Sequence, residues 1–312
     1  MAVPVFSARD VREAVSPSEA YEAVRGGFVA YARGEWSMPP KIYVTNYPAG
    51  DFRAMPALGG GQALLKWVTS FPGNPGRGLP TVSGLVLLSD ADDGRLLALL
   101  DAGAVTALRT AAAAVLAADT LARDDASSWA VVGCGANGAE TARMLVARGR
   151  RPLVWDVDPS RREAVAEEVG AEVAASAEQA LACDVVATVT PGYDVLYDEG
   201  SLRAGQHVSL MGADGPGKAE VAISELRRAC LFCDDWEQAS HGGELAGAVS
   251  GSVVTREEVT DLGMVLSGAA EGRRSASDIT LFDSTGLAIQ DLAIAKAAYA
   301  KAPELALARV EL

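Results

Sequence analysis

The sequence predicts an α/β protein that combines a doubly wound parallel sheet of the Rossmann type with a second α/β domain. Three observations support this fold class. The chain has 312 residues, which is long for one hydrophobic core and favours two domains. From Trp129 onward, short apolar runs alternate with helical patterns, as in consecutive βαβ units. A glycine-rich turn, GCGANG, follows the first of these runs and opens the next helix.

The first part of the chain begins with an amphipathic helix and continues in extended segments. Apolar or small residues follow one helical face from Val15 to Phe28, and the helix is predicted to end near Tyr31. KIYVTNY and QALLKWVTSF are predicted strands, and FPGNPGRGLP is a loop that precedes TVSGLVLLSD. Residues 101–122 are predicted to form an alanine-rich helix. The short polar segment after it, 123–128, marks the predicted domain boundary.

The second part of the chain supplies the parallel sheet. Its predicted strands are WAVVG, PLVWDVD, DVVATVT, HVSLMG, ACLFCDD and ITLFDS. Its predicted helices are GAETARMLVARG, SRREAVAEEVG, SAEQALA and, near the end of the chain, GLAIQDLAIAKAAYAKA.

The charge and the rare residue types exclude several classes of function. Forty-one acids against 27 bases give a formal charge of −14, which disfavours nucleic acid and anionic membrane surfaces as partners. Two histidines and four cysteines argue against a histidine-rich metal site, a Ser-His-Asp triad and a disulfide scaffold, so no metal is expected. The chemistry is therefore expected to use lysine, arginine, carboxylates or an organic cofactor.

The apolar segments predict a cytoplasmic protein. MAVPVFSARDVREAV lacks a basic segment followed by an apolar one, so no signal peptide is expected. The most apolar stretch, residues 96–118, is interrupted by Asp101 and Arg109, so no membrane span is expected either. Cys230 and Cys233 have redox or zinc spacing but lie in a predicted strand, where residues three apart point to opposite faces. They are interpreted as small apolar residues.

The GCGANG turn has the spacing of a dinucleotide-binding fingerprint. Gly133 would allow the tight turn, Gly135 would let backbone amides approach a pyrophosphate, and Gly138 would let helix and strand pack closely. Ala136 and Asn137 open the helix, whose N-terminus attracts phosphate.

Asp156, at the end of the next predicted strand, would accept hydrogen bonds from the adenosine ribose and thereby favour NAD over NADP. The neighbouring Arg161 and Arg162 weaken that preference. The alternative is a glycine-rich turn in an α/β domain that binds no nucleotide.

Four cations interrupt apolar segments of the first part of the chain: Lys41, Arg53, Lys66 and Arg109. A charged side chain on a strand, such as Lys66 in ALLKWV, faces either solvent or a functional cavity. If these cations converge, they could bind a substrate carboxylate, which arginine can do with two hydrogen bonds. The alternative, a solvated lysine at a sheet edge, stays open because the sequence does not show that these groups meet.

Several segments resemble the ornithine cyclodeaminase/μ-crystallin family and, within it, the alanine dehydrogenase branch. The resemblance extends from Met38 to Lys296 and rests on MPPKIYV, DFRAMPAL, LLKWVTSFPGNPGRGLPTV, ALRTAAA, GCGANG, MGADGPGKAE, DDWEQASHGGE and FDSTGLAIQDLAIAK. It implies a Rossmann domain for NAD, residues 123–285, and a substrate-binding and dimerisation domain formed by residues 1–122 and 286–312. It also implies a homodimer.

The same resemblance suggests roles for individual residues. For the substrate it implies Lys41, Arg53, Lys66, Arg109 and Thr285, and for catalysis Lys66 and Asp214. For the cofactor it implies, besides the fingerprint residues, Thr81, Arg109, Thr110, Thr190, Met211, Gly212, Ala213, Lys218 and Ser284.

The expected activity is the reversible, NAD-dependent oxidative deamination of a small L-amino acid, with alanine to pyruvate and ammonia as the best candidate. Cyclodeaminases of this family carry an acid near the position of Arg53, and an arginine there would repel a distal ammonium group. Either Lys66 or Asp214 could accept the proton. The alternatives are an imine or ketimine reductase, an ornithine or lysine cyclodeaminase, and a crystallin-like protein that binds NAD(P)H without catalysis.

Overall fold

The computed structural model describes residues 2–213, 215 and 217–312, and these residues form two compact units. The first unit contains the chain up to Arg109 together with Leu287–Leu312, and the second contains Thr110–Gly286. The strands are β1 Ala2–Phe6, β2 Ile42–Asn46, β3 Gly50–Gly59, β4 Gln62–Ser70, β5 Val82–Asp90, β6 Leu96–Asp101, β7 Trp129–Val132, β8 Leu153–Trp155, β9 Glu172–Val173, β10 Val185–Thr188, β11 His207–Leu210, β12 Cys230–Cys233, β13 Val259–Asp261, β14 Thr280–Asp283 and β15 Ala308–Glu311.

The α-helices range in length from 4 to 20 residues. In chain order they are α1 Ala8–Ala14, α2 Pro17–Ala32, α3 Ala102–Leu121, α4 Ala136–Ala147, α5 Pro159–Val169, α6 Ala177–Leu181, α7 Ile223–Leu226, α8 Trp236–Gly242, α9 Ala246–Ser250, α10 Leu262–Leu266 and α11 Ala288–Ala300.

The first unit is built on a seven-stranded sheet in the order β15-β1-β6-β5-β4-β3-β2. All neighbouring strands are antiparallel except β1 and β6, which are parallel. Helix α11 packs against α2 and against β3 and β4. Because side chains alternate between the two faces of a strand, Lys66 of β4 points to the same covered face as the buried Leu64 and Val68.

The hairpin of β3 and β4 explains a glycine-rich run. β3 was not predicted as a strand, because it contains Pro56 and a mixture of charged and apolar residues. Its turn is formed by Gly60 and Gly61, with φ of 56° and 77°, a backbone region that favours glycine. A side chain at Gly59 would collide with the ring of Trp36. The run Gly59–Gly61 is thus a requirement of the turn and its packing.

The second unit confirms the predicted doubly wound sheet. Its eight strands are all parallel, in the order β13-β12-β14-β11-β10-β7-β8-β9. The chain moves outward in one direction from β7 to β9 and in the other direction from β10, so the switch point lies between β7 and β10. In such sheets the ligand binds at the carboxyl ends of the strands next to the switch point.

Helix α3 is the most apolar element. It is long and apolar enough to span a membrane by composition, in spite of Arg109, and 83% of its most apolar window is buried within the fold. Burial of that extent is typical of a core helix. The two units divide within this helix, between Arg109 and Thr110. A cytoplasmic location and the assignment of substrate binding to one domain stay predictions.

Candidate active site

A buried lysine, held by a carboxylate, forms the centre of a charged cluster in the first unit. The Lys66 Nζ donates hydrogen bonds to Asp291 Oδ1 at 2.8 Å, to Asp291 Oδ2 at 2.9 Å and to Thr106 Oγ1 at 3.2 Å. The Lys66 side chain is 1% exposed and that of Asp291 is fully buried. An ammonium group has three N–H donors, so these contacts occupy all of them. The alternative of a solvated edge lysine is therefore wrong.

Burial brings the pKa of the Lys66 amine close to neutral pH. Desolvation lowers the pKa of Lys66 from its ordinary 10.5 to about 8, and the charges of Arg109 and Arg53 act in the same direction. The Asp291 carboxylate opposes them and raises the pKa of Lys66. The amine can therefore be charged or neutral within the pH range in which enzymes work.

Arg109, from α3, completes the cluster. Its Nε lies 3.6 Å from Asp291 Oδ1, and its Nη1 donates to Gln290 Oε1 at 3.3 Å. Within the part of the chain that the structure describes, Arg109 Nε and Gln290 Nε2 are buried without a hydrogen-bond partner. Buried polar atoms are almost always hydrogen-bonded in native proteins, so these two donors are available to a ligand.

Arg53 lies on β3 and is already paired with an acid. Its Nε donates to Asp51 Oδ1 at 2.6 Å and its Nη2 to Asp51 Oδ2 at 3.2 Å, and its guanidinium lies 5.3 Å from the centre of the Tyr43 ring. Asp51 balances the charge of Arg53, so the arginine alone does not discriminate against a distal ammonium group. Lys41 is half-buried and immediately precedes β2.

The glycine-rich loop of the second unit has the geometry of an anion site. Gly133 has φ of 103°, and its N–H donates to Trp155 O at 2.7 Å. A side chain at Gly138 would collide with the Gly133 carbonyl, as expected for a helix packed closely on its strand. Helix α4 begins at Ala136 after Gly135, and no described side chain caps it, so the first-turn N–H groups can bind a phosphate. Asn137 is half-buried in that turn.

Asp156 follows β8 and is tied to this loop. Its Oδ2 accepts the N–H of Cys134 at 2.7 Å and its Oδ1 accepts the N–H of Asp158 at 2.9 Å. Arg162 lies 4.1 Å from the ring centre of Trp155 and donates to the Asp156 carbonyl at 3.1 Å. Arg161 lies 3.4 Å from Asp158. Both arginines thus have partners on the protein beside the position predicted to bind ribose.

A buried acid joins several predicted cofactor residues at the carboxyl ends of the strands. Glu220 accepts hydrogen bonds from the hydroxyls of Thr188 and Thr190 and from the N–H of Gly212 at 3.2 Å. Met211 donates its N–H to Thr188 O, Ala213 is buried, and Lys218 lies 5.3 Å from the Tyr193 ring centre. Asp214, the second predicted proton acceptor, lies outside the described residues.

A second acid, Asp234, holds the loop after β14. It accepts the hydroxyls of Ser284 at 3.1 Å and Thr285 at 3.2 Å, and the N–H of Gly286 at 2.8 Å. Both hydroxyls were predicted to contact ligands. Thr110 Oγ1 is buried and finds no partner among the described residues, as expected of a group that a ligand completes.

Thr81 was predicted as a cofactor residue and belongs to the first unit. It precedes β5, and its carbonyl accepts the N–H of Phe71 at 2.8 Å. Of the acids that complete these clusters, Asp291 and Glu220 were not predicted from the sequence. Asp291 was detectable, because an acid inside the apolar helix AIQDLAIA requires a buried partner.

The described residues contain no group of three histidine, cysteine or acidic side chains that could hold a metal. Cys233 is buried and its Sγ lies 3.1 Å from Asp261 Oδ1, while Cys230 is partly exposed. Burial raises the pKa of Cys134, in the glycine-rich loop, to about 12, so this thiol stays protonated.

The fold and the glycine-rich loop define a protein of the Rossmann type. The model of the ornithine cyclodeaminase/mu-crystallin family matches residues 3–305. An alanine dehydrogenase from Archaeoglobus fulgidus is 41% identical over 96% of this chain and 94% of its own length. This chain belongs to the ornithine cyclodeaminase/mu-crystallin family.

Two solved structures of relatives superpose over almost the whole chain. An archaeal alanine dehydrogenase dimer with bound NAD is 39% identical, with full coverage of both chains and a TM-score of 0.94. The Δ1-pyrroline-2-carboxylate reductase of Thermococcus litoralis, in complex with NADH and L-proline, is 26% identical, covers 99% of this chain and 100% of its own, and has a TM-score of 0.92.

Proposed function

We propose that this protein is an NAD-dependent oxidoreductase that reversibly deaminates a small L-amino acid, with alanine to pyruvate and ammonia as the best candidate reaction. The observation that carries the proposal is the buried Lys66, an amine with a pKa of about 8 held between Asp291 and two arginines. Such an amine can take a proton from a substrate ammonium near neutral pH. The alanine dehydrogenases among its relatives support the choice of substrate.

The residues of the second unit fit NAD. The uncapped first turn of α4, the close approach at Gly138 and the buried, unpartnered Thr110 Oγ1 are the features that a bound dinucleotide would use. Asp156 would bind the adenosine ribose, and Lys218, Ser284 and the loop at 211–213 would contact the rest of the cofactor. When bound, NAD supplies the acceptor for the hydride of the substrate Cα.

The cations of the first unit would bind the substrate carboxylate. Arg109 Nε faces Asp291 at 3.6 Å but makes no hydrogen bond to any described residue, and Arg53 and Lys41 add positive charge. Two-point binding by arginine fixes the orientation of a carboxylate, and correct orientation can supply several kcal/mol of barrier reduction, about 7–11 kcal/mol at best.

Lys66 would remove the proton that must leave the substrate ammonium before Cα becomes a hydride donor. Neutral Lys66 accepts that proton, and the charged Lys66 returns one in the reverse direction. Asp214 remains the second candidate for this role or for activating the water that attacks the imine.

One observation favours a second candidate, an enzyme that acts on a cyclic imine or a diamino acid. Asp51 is buried and faces Arg53, so an acid is present where a distal amino group could bind. The T. litoralis relative, with L-proline bound, supports the same alternative.

We further propose a homodimer formed through the outer face of the seven-stranded sheet. This face carries apolar side chains that alternate with the buried ones and are exposed: Leu58, Leu65, Trp67 and Leu85. Phe52 stacks on Trp67 with ring centres 5.8 Å apart. An apolar patch of this kind marks an interface. Trp67→Glu should convert a dimer to a monomer in light scattering, and a wild-type monomer at micromolar concentration would contradict the proposal.

The function is tested by NADH oxidation with pyruvate and ammonium, compared with cyclic imines, and by NAD reduction with alanine, ornithine and lysine. Turnover is expected with pyruvate and alanine. Activity with a cyclic imine alone would establish the reductase alternative. NADH binding without turnover on any substrate would establish a binding protein.

A further inference from the structure

We propose that Asp291 is a positioning residue of the reaction, which holds the Lys66 amine and the Arg109 guanidinium in one fixed arrangement. The proposal rests on the proposed function for its kinetic part. Asp291 is not expected to touch the substrate, because both of its oxygens are occupied by Lys66 at 2.8 and 2.9 Å.

The place of Asp291 in the fold favours an ionised carboxylate. It lies in the first turn of α11, where the partial positive charge of a helix N-terminus stabilises an anion. It is fully buried, and a buried charge persists only when it is paired and hydrogen-bonded. Lys66 and Arg109 come from β4 and α3, so the one carboxylate fixes two further elements of the unit.

The charges of the cluster do not cancel. The charged groups that act on Lys66 are Asp291 from α11, Arg109 from α3 and Arg53 from β3, and Arg53 is itself paired with Asp51. Lys66 and Arg109 together carry two positive charges against the single negative charge of Asp291. The remaining positive charge suits a substrate with one carboxylate.

The bidentate contact also lets Lys66 exchange a proton without moving. A neutral amine keeps two N–H groups, and the two Asp291 oxygens can hold both of them. A neutral group in place of the carboxylate would remove this anchor and the charge that favours protonated Lys66.

The test is Asp291→Asn, a replacement of nearly the same shape. In the direction of amino-acid oxidation, kcat should fall about 100-fold, since small misplacements of reacting groups have effects of that order. The rising limb of the pH profile should shift to lower pH by at least one unit, and the Kd of NADH should stay within about two-fold. The proposal is overturned if Asp291→Asn keeps the rising limb of the wild-type pH profile and a kcat within about three-fold of the wild type.

A titration separates this proposal from the proposed function. In protein labelled with ¹³C at lysine Cε, the Lys66 signal should titrate at lower pH in Asp291→Asn than in the wild type, with or without turnover. Wild-type protein that is inactive on every substrate would contradict the proposed function, whereas an unchanged Lys66 titration would contradict the role of Asp291.

Two variants control for structural effects. Glu225 is a buried acid of the second unit, paired with the exposed Arg228 at 2.6 Å, so Glu225→Gln neutralises a buried acid in an ion pair but should keep the wild-type rising limb of the pH profile. If Asp291→Asn does not fold, Asp291→Glu decides, because it keeps the charge and displaces the carboxylate. In Asp291→Glu, the rising limb of the pH profile should stay within about half a pH unit of the wild type while kcat falls at least ten-fold. An unchanged kcat would refute a positioning role.

Discussion

The two units bury charged side chains in different ways. In the first unit, Lys66 and Arg109 surround Asp291, so opposite charges meet. In the second unit, a group of four buried acids lies close together and accepts hydrogen bonds from hydroxyl and backbone N–H groups. These acids are Glu220, Glu244, Asp234 and Asp283.

Burial and neighbouring negative charges raise the pKa values of two of these acids. Burial and the charge of Glu220 raise the pKa of Glu244 to about 7, although the N–H groups of Glu220 and Val221 oppose that change. Burial, Asp234 and Glu244 raise the pKa of Asp283 well above its ordinary value. Near pH 7 Glu244 is therefore partly protonated, and the surroundings of Asp283 favour its neutral form.

The comparison separates two uses of a buried carboxyl group. Asp291 acts through its charge, which keeps an amine protonated near neutral pH. Glu220 and Asp234 accept hydrogen bonds from the loops at the carboxyl ends of the strands, where the residues predicted to bind the cofactor lie. Removal of a charged group should therefore lower turnover and stability strongly in the first cluster and only slightly in the second.

The largest effect is expected at Lys66. Lys66→Met keeps the length of the side chain and removes the amine, so turnover should fall by about 10²–10⁴-fold while NADH binding stays within about two-fold. The protein should also lose about 3–5 kcal/mol of unfolding free energy, because Asp291 loses its main partner.

Lys296→Met is the matched control for this variant. Lys296 lies on α11 and donates to Gly60 O at 2.6 Å, so the variant loses a lysine hydrogen bond but should retain turnover. Near-normal turnover in Lys66→Met would refute the assignment of Lys66 as the proton acceptor.

A smaller effect, and a dependence on pH, are expected for Glu244→Gln. The pKa of Glu244 is about 7 in the folded state and near 4.5 when unfolded, so the folded state binds the proton more tightly. The stability contributed by this group is full below pH 4.5 and is lost as the pH rises through 7. Relative to the variant, the wild type should lose about 3 kcal/mol between pH 4.5 and 7.

Urea unfolding at a series of pH values measures this difference. Glu199→Gln, which replaces an exposed acid of the same unit, should show the wild-type dependence. A constant difference in stability between wild type and Glu244→Gln from pH 4.5 to 8 would mean that burial does not protonate this cluster.

The smallest effect is expected for Asp283→Asn. Burial and the neighbouring acids raise the pKa of its carboxyl and so favour the neutral form, and its Oδ1 has no hydrogen-bond partner among the described residues, so the amide should cost less than about 1 kcal/mol. Asp184 is the contrasting control, because its pKa is held below the ordinary value by N–H and hydroxyl groups of Ser127 and Ser128. Asp184→Asn should cost about 1–3 kcal/mol. Thermal unfolding measures both variants. Equal losses of unfolding free energy in Asp283→Asn and Asp184→Asn would contradict the expected difference between the two acids.

The parts of the fold that follow from local patterns were accessible from the sequence. The alternation of strands and helices after Trp129 and the spacing of Gly133, Gly135 and Gly138 depend on neighbouring residues only, and the parallel sheet confirms them. β3 was not accessible in the same way. Nine of its ten residues, Pro56 among them, pair with β4, and such tertiary pairing overrides local propensity.

The site illustrates the same limit. Lys66 stood out as a charge in an apolar strand, but its partner Asp291 is 225 residues away, and no local pattern connects the two. Asp51 is different. Residues two apart on a strand share a face, so the pairing of Asp51 with Arg53 would have followed from the sequence if β3 had been predicted as a strand.

Helix α11 is tied to the β3–β4 hairpin at both Asp291 and Lys296. The second contact, from Lys296 Nζ to Gly60 O, lies at the tip of the hairpin. A slip of one residue in strand pairing would turn Lys66 to the outer face and Trp67 to the inner one. The bond at the tip therefore adds to the β3–β4 pairing, which sets the side of the sheet that carries the amine. An insertion of one residue at Gly60 or Gly61 that shifts this register should silence the enzyme by exchanging the two faces.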